Sequence, residues 1–493
     1  MTRNKFTKCF LSISLAIVFS TNTSFGQRLP SSGPIQSRVS DLRLDNGYPT
    51  DKTSKKLYEE IDYQRACQAY LWALPLMGLR NMQLDLQSRF GLGNLDFIDF
   101  ISFQDKMGML TPNATTPYTM AYPNMKDTGP LVVEIPAGLT AGGIADFWQR
   151  PLSDTGQTGP DKGAGGKYLI LGPNDPEMNP PGYFVLRSPT VNVWVAQRAL
   201  DADPVKAKET IAAFKVYPFK LKDSPSTSKH ISPNGKAWEG QQATGLKFWQ
   251  DLSNVINEEP VHERDRIMLG MLQPLGIKKG KPFNPTEQQK KILIDASKVG
   301  ELMARTIAYD KRFDGVKVWP NRRWETSLYL KEVNQEAKAY TQFDERSSWF
   351  YEAIGVSEGM MGRTVGAGQV YLEATKDNKG QWLQGGKTYT IHVPANVPVA
   401  QFWSFTIYDN ETRSFVNTGT LPDRSSRSNI QKNADGTVDL YFGPKLPAGK
   451  PESNWIKTIP GRGWFSYFRL YGPLQAYFDR SFVLSDIVEL KSN

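Results

Sequence analysis

The last third of the chain restricts its fold most. Between Gln369 and Pro473 lie five runs, QVYLEAT, KTYTIHVP, QFWSFTIYD, TVDLYFGP and WFSYFRLYGP, rich in Val, Ile, Tyr, Phe and Trp. Turn signals punctuate them: DNKG (377–380), QGGK (384–387), NADG (433–436) and PGRG (460–463). Successive side chains on a strand point to opposite faces, so each run must cover one face with a second layer. Several strands at this spacing predict an antiparallel sandwich or jelly-roll-like barrel.

A second β-rich set comes earlier: LVVEIP (131–136), DFWQRPL (146–152), KYLILGP (167–173), YFVLRS (183–188) and NVWVAQRAL (192–200). The glycine-rich SDTGQTGPDKGAGG (153–166) reads as a long flexible connection between strands. Between the two sets the spacing is helical, as in LKFWQDLSNVINE (246–258). For residues 284–310 the pattern predicts Asn284 as N-cap, Pro285 at the first helical position and Glu287 completing a capping box. Ile292, Ala296, Val299 and Met303 would form its buried stripe. Helical spacing also runs from Lys56 to about Gln87, where Pro75 is expected to end or kink the helix before a short piece through Met82 and Leu86. The predicted fold is α+β: two mainly antiparallel β-sandwich or jelly-roll-like domains flanking a helical middle segment.

The first residues address the compartment. Arg3, Lys5 and Lys8 precede the apolar run Cys9–Phe19, and Ser24 and Gly26 stand before a cut ahead of Gln27, which predicts a signal peptide over 1–26. The expected product is exported, periplasmic or secreted. No later apolar run has the length of a membrane-spanning helix, so no transmembrane segment is expected in the mature chain. Domain limits follow: 27–56 a polar leader, 57–200 an N-terminal domain, 201–352 a helical connector and 353–493 a C-terminal β domain. Loss of residues 1–26 lowers the formal charge from +9 to about +6, and the charges are interspersed, so nucleic acid is not an expected partner. Cys67 alone would remain of the two cysteines, which rules out a disulfide within the mature chain.

The runs YLWALPL (70–76), TPNATTPYTMAY (111–122), LVVEIP and SPTVNVWVAQR (188–198) resemble the N-terminal member of a known pairing of bacterial domains of unknown function, numbered 1254 and 1214. QFWSFTIYDNETRS, NADGTVDLYFGP, SNWIKTIPGRGWFSYFRLYGP and FDRSFVLSDI resemble its C-terminal member. LGIKKGKPF (275–283) is similar to the connector of such proteins. The resemblance implies two β-rich domains about a helical middle, usually in exported bacterial proteins. It implies no activity.

Residues 111–124, TPNATTPYTMAYPN, are the first candidate site. Pro112, Pro117 and Pro123 lack N–H donors and hold the chain extended. Asn113, Thr115, Thr116 and Tyr118 are left to present side-chain groups, either to a ligand or to local Asx- and ST-turns. Arg187, Arg198 and Arg469 sit inside apolar strands, where a guanidinium needs an anion; Glu134, Asp146, Glu373 and Asp439 are candidate partners. The expected function is binding of a small polar or carbohydrate-like ligand in a cleft lined by 111–122. Asn113, Thr115, Thr116 and Tyr118 would orient it, Arg198 would meet its negative or polyhydroxylated face, and Trp148 and Trp194 would wall it.

Other chemistry leaves few marks. His230, His262 and His392 have no zinc-ligand spacing, while an all-oxygen calcium site needs no motif. There is no GxSxG, phosphate-binding loop or dinucleotide fingerprint. The sequence assigns no catalytic residue, metal or cofactor. Two further readings stay open: a carboxylate- or metal-dependent hydrolase acting on a polysaccharide or ester, and a structural or assembly protein of the cell envelope, with homo-oligomers formed through its aromatics.

Overall fold

The computed structural model describes residues 29–225 and 227–490, so the expected signal peptide over 1–26 lies outside the described residues. The chain divides into two compact units, 1–61 and 62–493. The described part of the first holds a small antiparallel sheet of Gly33–Ile35, Leu42–Asp45 and Tyr48–Pro49, within the stretch expected to be a polar leader. Seven α-helices and five mainly antiparallel sheets make the described residues an α+β structure. No helix among them is long and apolar enough to cross a membrane.

The helix Asp51–Phe90 runs through Pro75 without a break, contrary to the expectation of two pieces. Proline cannot donate to the carbonyl four residues earlier, and its ring crowds the carbonyls of the preceding turn. The helix Phe343–Glu352 packs polar groups against that turn: the Arg346 guanidinium donates to the Trp72 carbonyl, and Ser347 Oγ, which donates to the Phe343 carbonyl at 2.6 Å, lies 3.5 Å from that of Leu71. Gln149 Nε2 donates to the Pro75 carbonyl at 2.6 Å. Side chains from two remote segments thus bond to the backbone around the proline.

The helix Glu287–Tyr309 is capped by Thr286, whose Oγ1 accepts from Gln289 N–H at 3.2 Å while Gln289 Oε1 accepts from Thr286 N–H at 2.8 Å. The capping box therefore lies two residues beyond the expected Asn284. Its buried stripe is Leu293, Ala296, Gly300, Ala304 and Ala308, rotated from the expected one, and Met303 is exposed. Gly300 allows that rotation: a Cβ there would lie 2.7 Å from Tyr70 Cβ on the long helix. These helices share one core with Gly245–Glu258, through Phe248, Trp249, Leu252 and Val255.

The N-terminal β region has two sheets. One runs His230–Ile231, Phe97–Phe100, Tyr118–Ala121, Val193–Ala199, Thr140–Asp146 and Pro151–Gly156; the other runs Phe184–Arg187, Gly166–Leu171, Leu131–Ile135 and Lys215–Pro218. Val193, Val195 and Ile144 of the first share a core with Val133, Ile170 and Val216 of the second. DFWQRPL proves to be mostly the turn between two strands: Asp146 Oδ1 accepts from the N–H groups of Trp148 and Arg150, both at 2.9 Å. Part of the glycine-rich stretch expected to be a loop is itself the strand Pro151–Gly156.

The C-terminal β region likewise has two sheets, Glu325–Thr326, Gln369–Ala374, Trp464–Pro473, Val399–Asp409 and Asp423–Ser425 in one, Trp455–Lys457, Val438–Gly443, Tyr389–Val393 and Val488–Glu489 in the other. All five anticipated runs are strands. Leu372, Phe405, Phe468 and Leu470 meet Tyr389, Ile391, Leu440 and Phe442 in the core between them. That leaves the alternate residues of the first sheet, including Tyr371, Arg469 and Tyr471, on its other face.

Candidate functional site

Strand alternation builds the site. On Val193–Ala199 the odd-numbered Val193, Val195 and Ala199 enter the sheet-to-sheet core, while Trp194, Ala196 and Arg198 face a cavity of about 140 Å³. Tyr118 and Met120 line it from the neighbouring strand, with Arg198 directly opposite Tyr118 in register. From the C-terminal region come Gln369, Tyr371, Arg469 and Tyr471, with Arg469 opposite Tyr371. Residues 353–360, which follow the helix ending at Glu352, close a third side. Gly355 permits that closure, because its φ is +77° and a Cβ there would lie 2.7 Å from the Trp194 ring.

The 111–118 stretch is both a turn and part of this wall. Asn113 Oδ1 accepts from Thr115 N–H at 3.0 Å and Thr116 N–H at 2.8 Å, and Tyr118 Oη accepts from Asn113 N–H at 3.1 Å. Inside the turn lies Lys106, fully buried, whose Nζ donates to the carbonyls of Asn113 (3.1 Å) and Thr116 (2.7 Å). The stretch also joins the two β regions: Tyr408 Oη donates to the Pro112 carbonyl at 2.6 Å and Arg469 Nη2 to that of Thr111 at 2.9 Å.

Of the expected site residues, Asn113, Tyr118, Trp194 and Arg198 line the cavity. Thr115 and Thr116 complete the turn behind it and do not reach the lining. Trp148 is elsewhere, packed 4.7 Å from the Trp72 ring and under the Arg346 guanidinium. Sequence reading missed Gln369, Tyr371 and Tyr471 as site residues. The signal was their even spacing from Arg469 and the cross-strand partner of that arginine, which needs the register as well as the pattern.

Electrostatics distinguish the two cavity arginines from the third. Arg187 is at the surface and pairs with Glu177. Among the described residues neither Arg198 nor Arg469 has a carboxylate within ion-pair distance, and none of the four anticipated acids serves them. Glu134 pairs with Lys167, Asp146 with Arg264, Glu373 with Lys311 and Asp439 with His392. Arg198 Nη1 donates to Gln369 Oε1 at 3.2 Å and the guanidinium lies 5.0 Å from the Tyr118 ring centre. Arg469, 2% exposed, donates to Thr406 Oγ1 at 3.1 Å and lies 5.0 Å from the Tyr467 ring centre. Among the described residues Tyr471 Oη has no hydrogen-bond partner. Tyr371 Oη stands beside the Arg198 guanidinium but off the line of a formed bond.

Burial pushes the Lys106 ammonium down to about 7, and the Arg198 charge adds to the effect. Buried Asp105 and then Asp423 favour the Lys106 charge, and Asp423, which also faces Arg469, is itself pushed up to about 6 by burial against the opposing Thr406 hydrogen bond. Asp154 is the acid in the lining; its Oδ2 accepts from Gly359 N–H at 3.0 Å.

Beneath the wall lies a second polar cluster. Lys311 pairs with Glu373, two residues along from Tyr371, and Ser327 Oγ donates to Glu352 at 2.8 Å. Burial and mutual repulsion raise the Glu373 carboxyl, and burial raises that of Glu352. Desolvation opposes the Lys311 charge, but the Glu373 and Glu352 carboxylates outweigh it and hold the ammonium charged. Neither glutamate lines the cavity. The histidines have structural partners: His230 with Asp99 at 3.0 Å, His262 with the Pro189 carbonyl at 2.9 Å and His392 with Asp439 at 2.7 Å. Among the described residues no group of three or more His, Cys, Asp or Glu is placed to hold a metal ion.

Comparison with known proteins agrees with the layout. No curated protein matches the chain. The VPA0106 protein from Vibrio parahaemolyticus, known from its crystal structure, aligns over 87% of this chain and 100% of its own at 16% identity and a TM-score of 0.53, a likeness of fold alone. An uncharacterized protein from Burkholderia cenocepacia aligns over 89% of this chain and 96% of its own at 12% identity and a TM-score of 0.41. The family model described as protein of unknown function DUF1254 matches residues 99–218, and that described as protein of unknown function DUF1214 matches 368–475. The chain thus carries the paired domains of unknown function 1254 and 1214, in that order.

Proposed function

We propose that this is an exported protein whose two sandwich-like β domains bind a small organic ligand with a polar end in the cavity between them. One observation carries the reading. Both β regions turn the polar, aromatic alternates of their strands toward the same cavity, where Arg198 and Arg469 have only neutral acceptors, and the Tyr371 and Tyr471 hydroxyls have no formed hydrogen bond, among the described residues. Buried polar groups are normally satisfied, and unsatisfied ones around a cavity favour an occupant. Met109, Met120, Trp194, Trp349 and Met360 make much of the remaining wall apolar, with Ser153, Gln157 and Gln369 among its polar members. That mixture suits a ligand with a compact apolar body and one polar end.

The test is a thermal-shift screen of residues 27–493 with small organic molecules, repeated on Ala196→Phe. A molecule that binds the folded state stabilises it by about 2.7 kcal/mol at a hundredfold excess over its dissociation constant. Ala196 lines the cavity, so the larger ring should abolish the shifts while the unliganded variant still unfolds cooperatively. Shifts that survive Ala196→Phe, or a screen that yields none, would refute a ligand in this cavity.

A further inference from the structure

The ligand-cavity reading can be narrowed to a chemical class. We infer that the polar end of the ligand is a carboxylate, seated between the Arg198 guanidinium and the hydroxyls of Tyr371 and Tyr471, with Arg469 closing the site.

The first argument is charge. Lys106, Arg198 and Arg469 bring three cationic side chains together inside the protein, with both arginines acting electrostatically on Lys106. The acids that face them are Asp423, hydrogen-bonded to Thr406, and Asp105, whose Oδ2 is already bound by Ser102. A buried charge without a counter-ion is costly, and an arginine is the side chain least able to escape by losing its proton. One added negative charge would balance the group. The second argument is donor geometry. Arg198 spends one N–H on Gln369, and its fork has further donors for a planar two-oxygen acceptor. Tyr118, Tyr371 and Tyr471 all lie within electrostatic range of both guanidinia, and two of their hydroxyls lack an acceptor.

The third argument is shape. A cavity of about 140 Å³ is close to the size that admits a single six-membered ring. Met120, Trp194, Trp349 and Met360 are its apolar side, and Asp154 is the one carboxylate among the described lining residues. Asp154 accepts the Gly359 N–H and, among the described residues, is not within ion-pair distance of Arg198 or Arg469. The class is therefore a small monocarboxylate carrying one compact apolar group.

Benzoate, its uncharged analogue benzamide, and benzylammonium form a matched set of probes for calorimetric titration of residues 27–493. Benzoate should bind about ten- to a hundredfold more tightly than benzamide, the range that charge-assisted hydrogen bonds supply. Benzylammonium should not bind. Arg198→Gln should erase the preference for benzoate while benzamide binding persists. Tyr471→Phe removes only a hydroxyl without a partner, so the variant folds as the parent does. It should weaken benzoate several-fold and leave benzamide unchanged. Equal affinity for benzoate and benzamide, or benzoate binding unaltered in both variants, would overturn the carboxylate and leave the cavity reading standing. No binding of any probe, in a protein that Ala196→Phe strongly destabilises because its own side chains already fill the space, would overturn both.

Discussion

Lys311→Met removes the cation from the buried cluster beneath the cavity wall and keeps most of the side-chain volume. In the parent protein Lys311 is paired with Glu373 and its charge is favoured, while burial raises the carboxyls of both Glu373 and Glu352, so the two are expected to share one proton. Glu352 and Glu373 are 0% and 1% exposed, so without Lys311 neither can keep its charge. Folding must then hold one more carboxyl neutral. Its pKa in the unfolded chain is 4.5, and each pH unit above that value costs about 1.4 kcal/mol. The added cost is about 3 kcal/mol at pH 7 and less than about 1 kcal/mol at pH 5. The sign follows from a carboxyl whose folded pKa is raised: its contribution is intact at low pH and lost as pH rises toward the folded value. The hydrogen bond from Lys311 to the Ala308 carbonyl is also lost, but equally at both pH values. Urea unfolding of parent and variant at pH 5 and pH 7 reads the difference directly. The destabilisation should be smaller at pH 5 by about 2–3 kcal/mol; an equal loss at both pH values would show that Lys311 is not what keeps one carboxyl of the cluster ionised.

Three other outcomes follow from contacts described above. Ser347→Ala should cost about 1 kcal/mol, mostly the bond to the Phe343 carbonyl, so the cost should persist in a Pro75→Ala background; a double-mutant cycle by urea unfolding measures the coupling, and a cost that vanished there would assign the hydroxyl to Leu71. Gly300→Ala should destabilise by about 1–3 kcal/mol through its clash with Tyr70, exceeding the gain of about 1 kcal/mol that alanine brings to a helix interior. Benzoate affinity should fall as pH rises above 7. Lys106, pushed down to about 7 and faced by Arg198, Asp105, Asp423 and Arg469, then loses the charge that favours an anion. Calorimetry between pH 6 and 9 checks the direction, and a rise in affinity would contradict it.

The strands were legible because alternation and turn residues coincide. QFWSFTIYD and WFSYFRLYGP place Phe405 and Leu470 in the core and Thr406 and Arg469 on the opposite face, as a period of two requires. The same rule marks Trp194 and Arg198 as one face of NVWVAQRAL. What escaped were effects of distant chain. Pro75 reads as a break because the polar groups packed against its turn come from residues 346 and 347. Asn284 and Pro285 make a plausible helix start, but Thr286 and Gln289 close the reciprocal pair of bonds. Trp148 sits beside polar residues in sequence and against Trp72 in space. Nothing local marks Lys106 as a buried cation inside the 111–118 turn, nor shows which acids would leave Arg198 and Arg469 without a counter-ion.

The central claim is that the cavity between the two β regions takes a small carboxylate, and its methionines report on it directly. Met109, Met120 and Met360 line the cavity, whereas Met303 is exposed on a helix outside the lining. Methyl-labelled methionine spectra, assigned by single Met→Leu variants, can be followed while benzoate is added. The account expects saturable shifts at Met109, Met120 and Met360 and none at Met303. Saturable shifts elsewhere, or cavity methyls unmoved at millimolar benzoate, would contradict it.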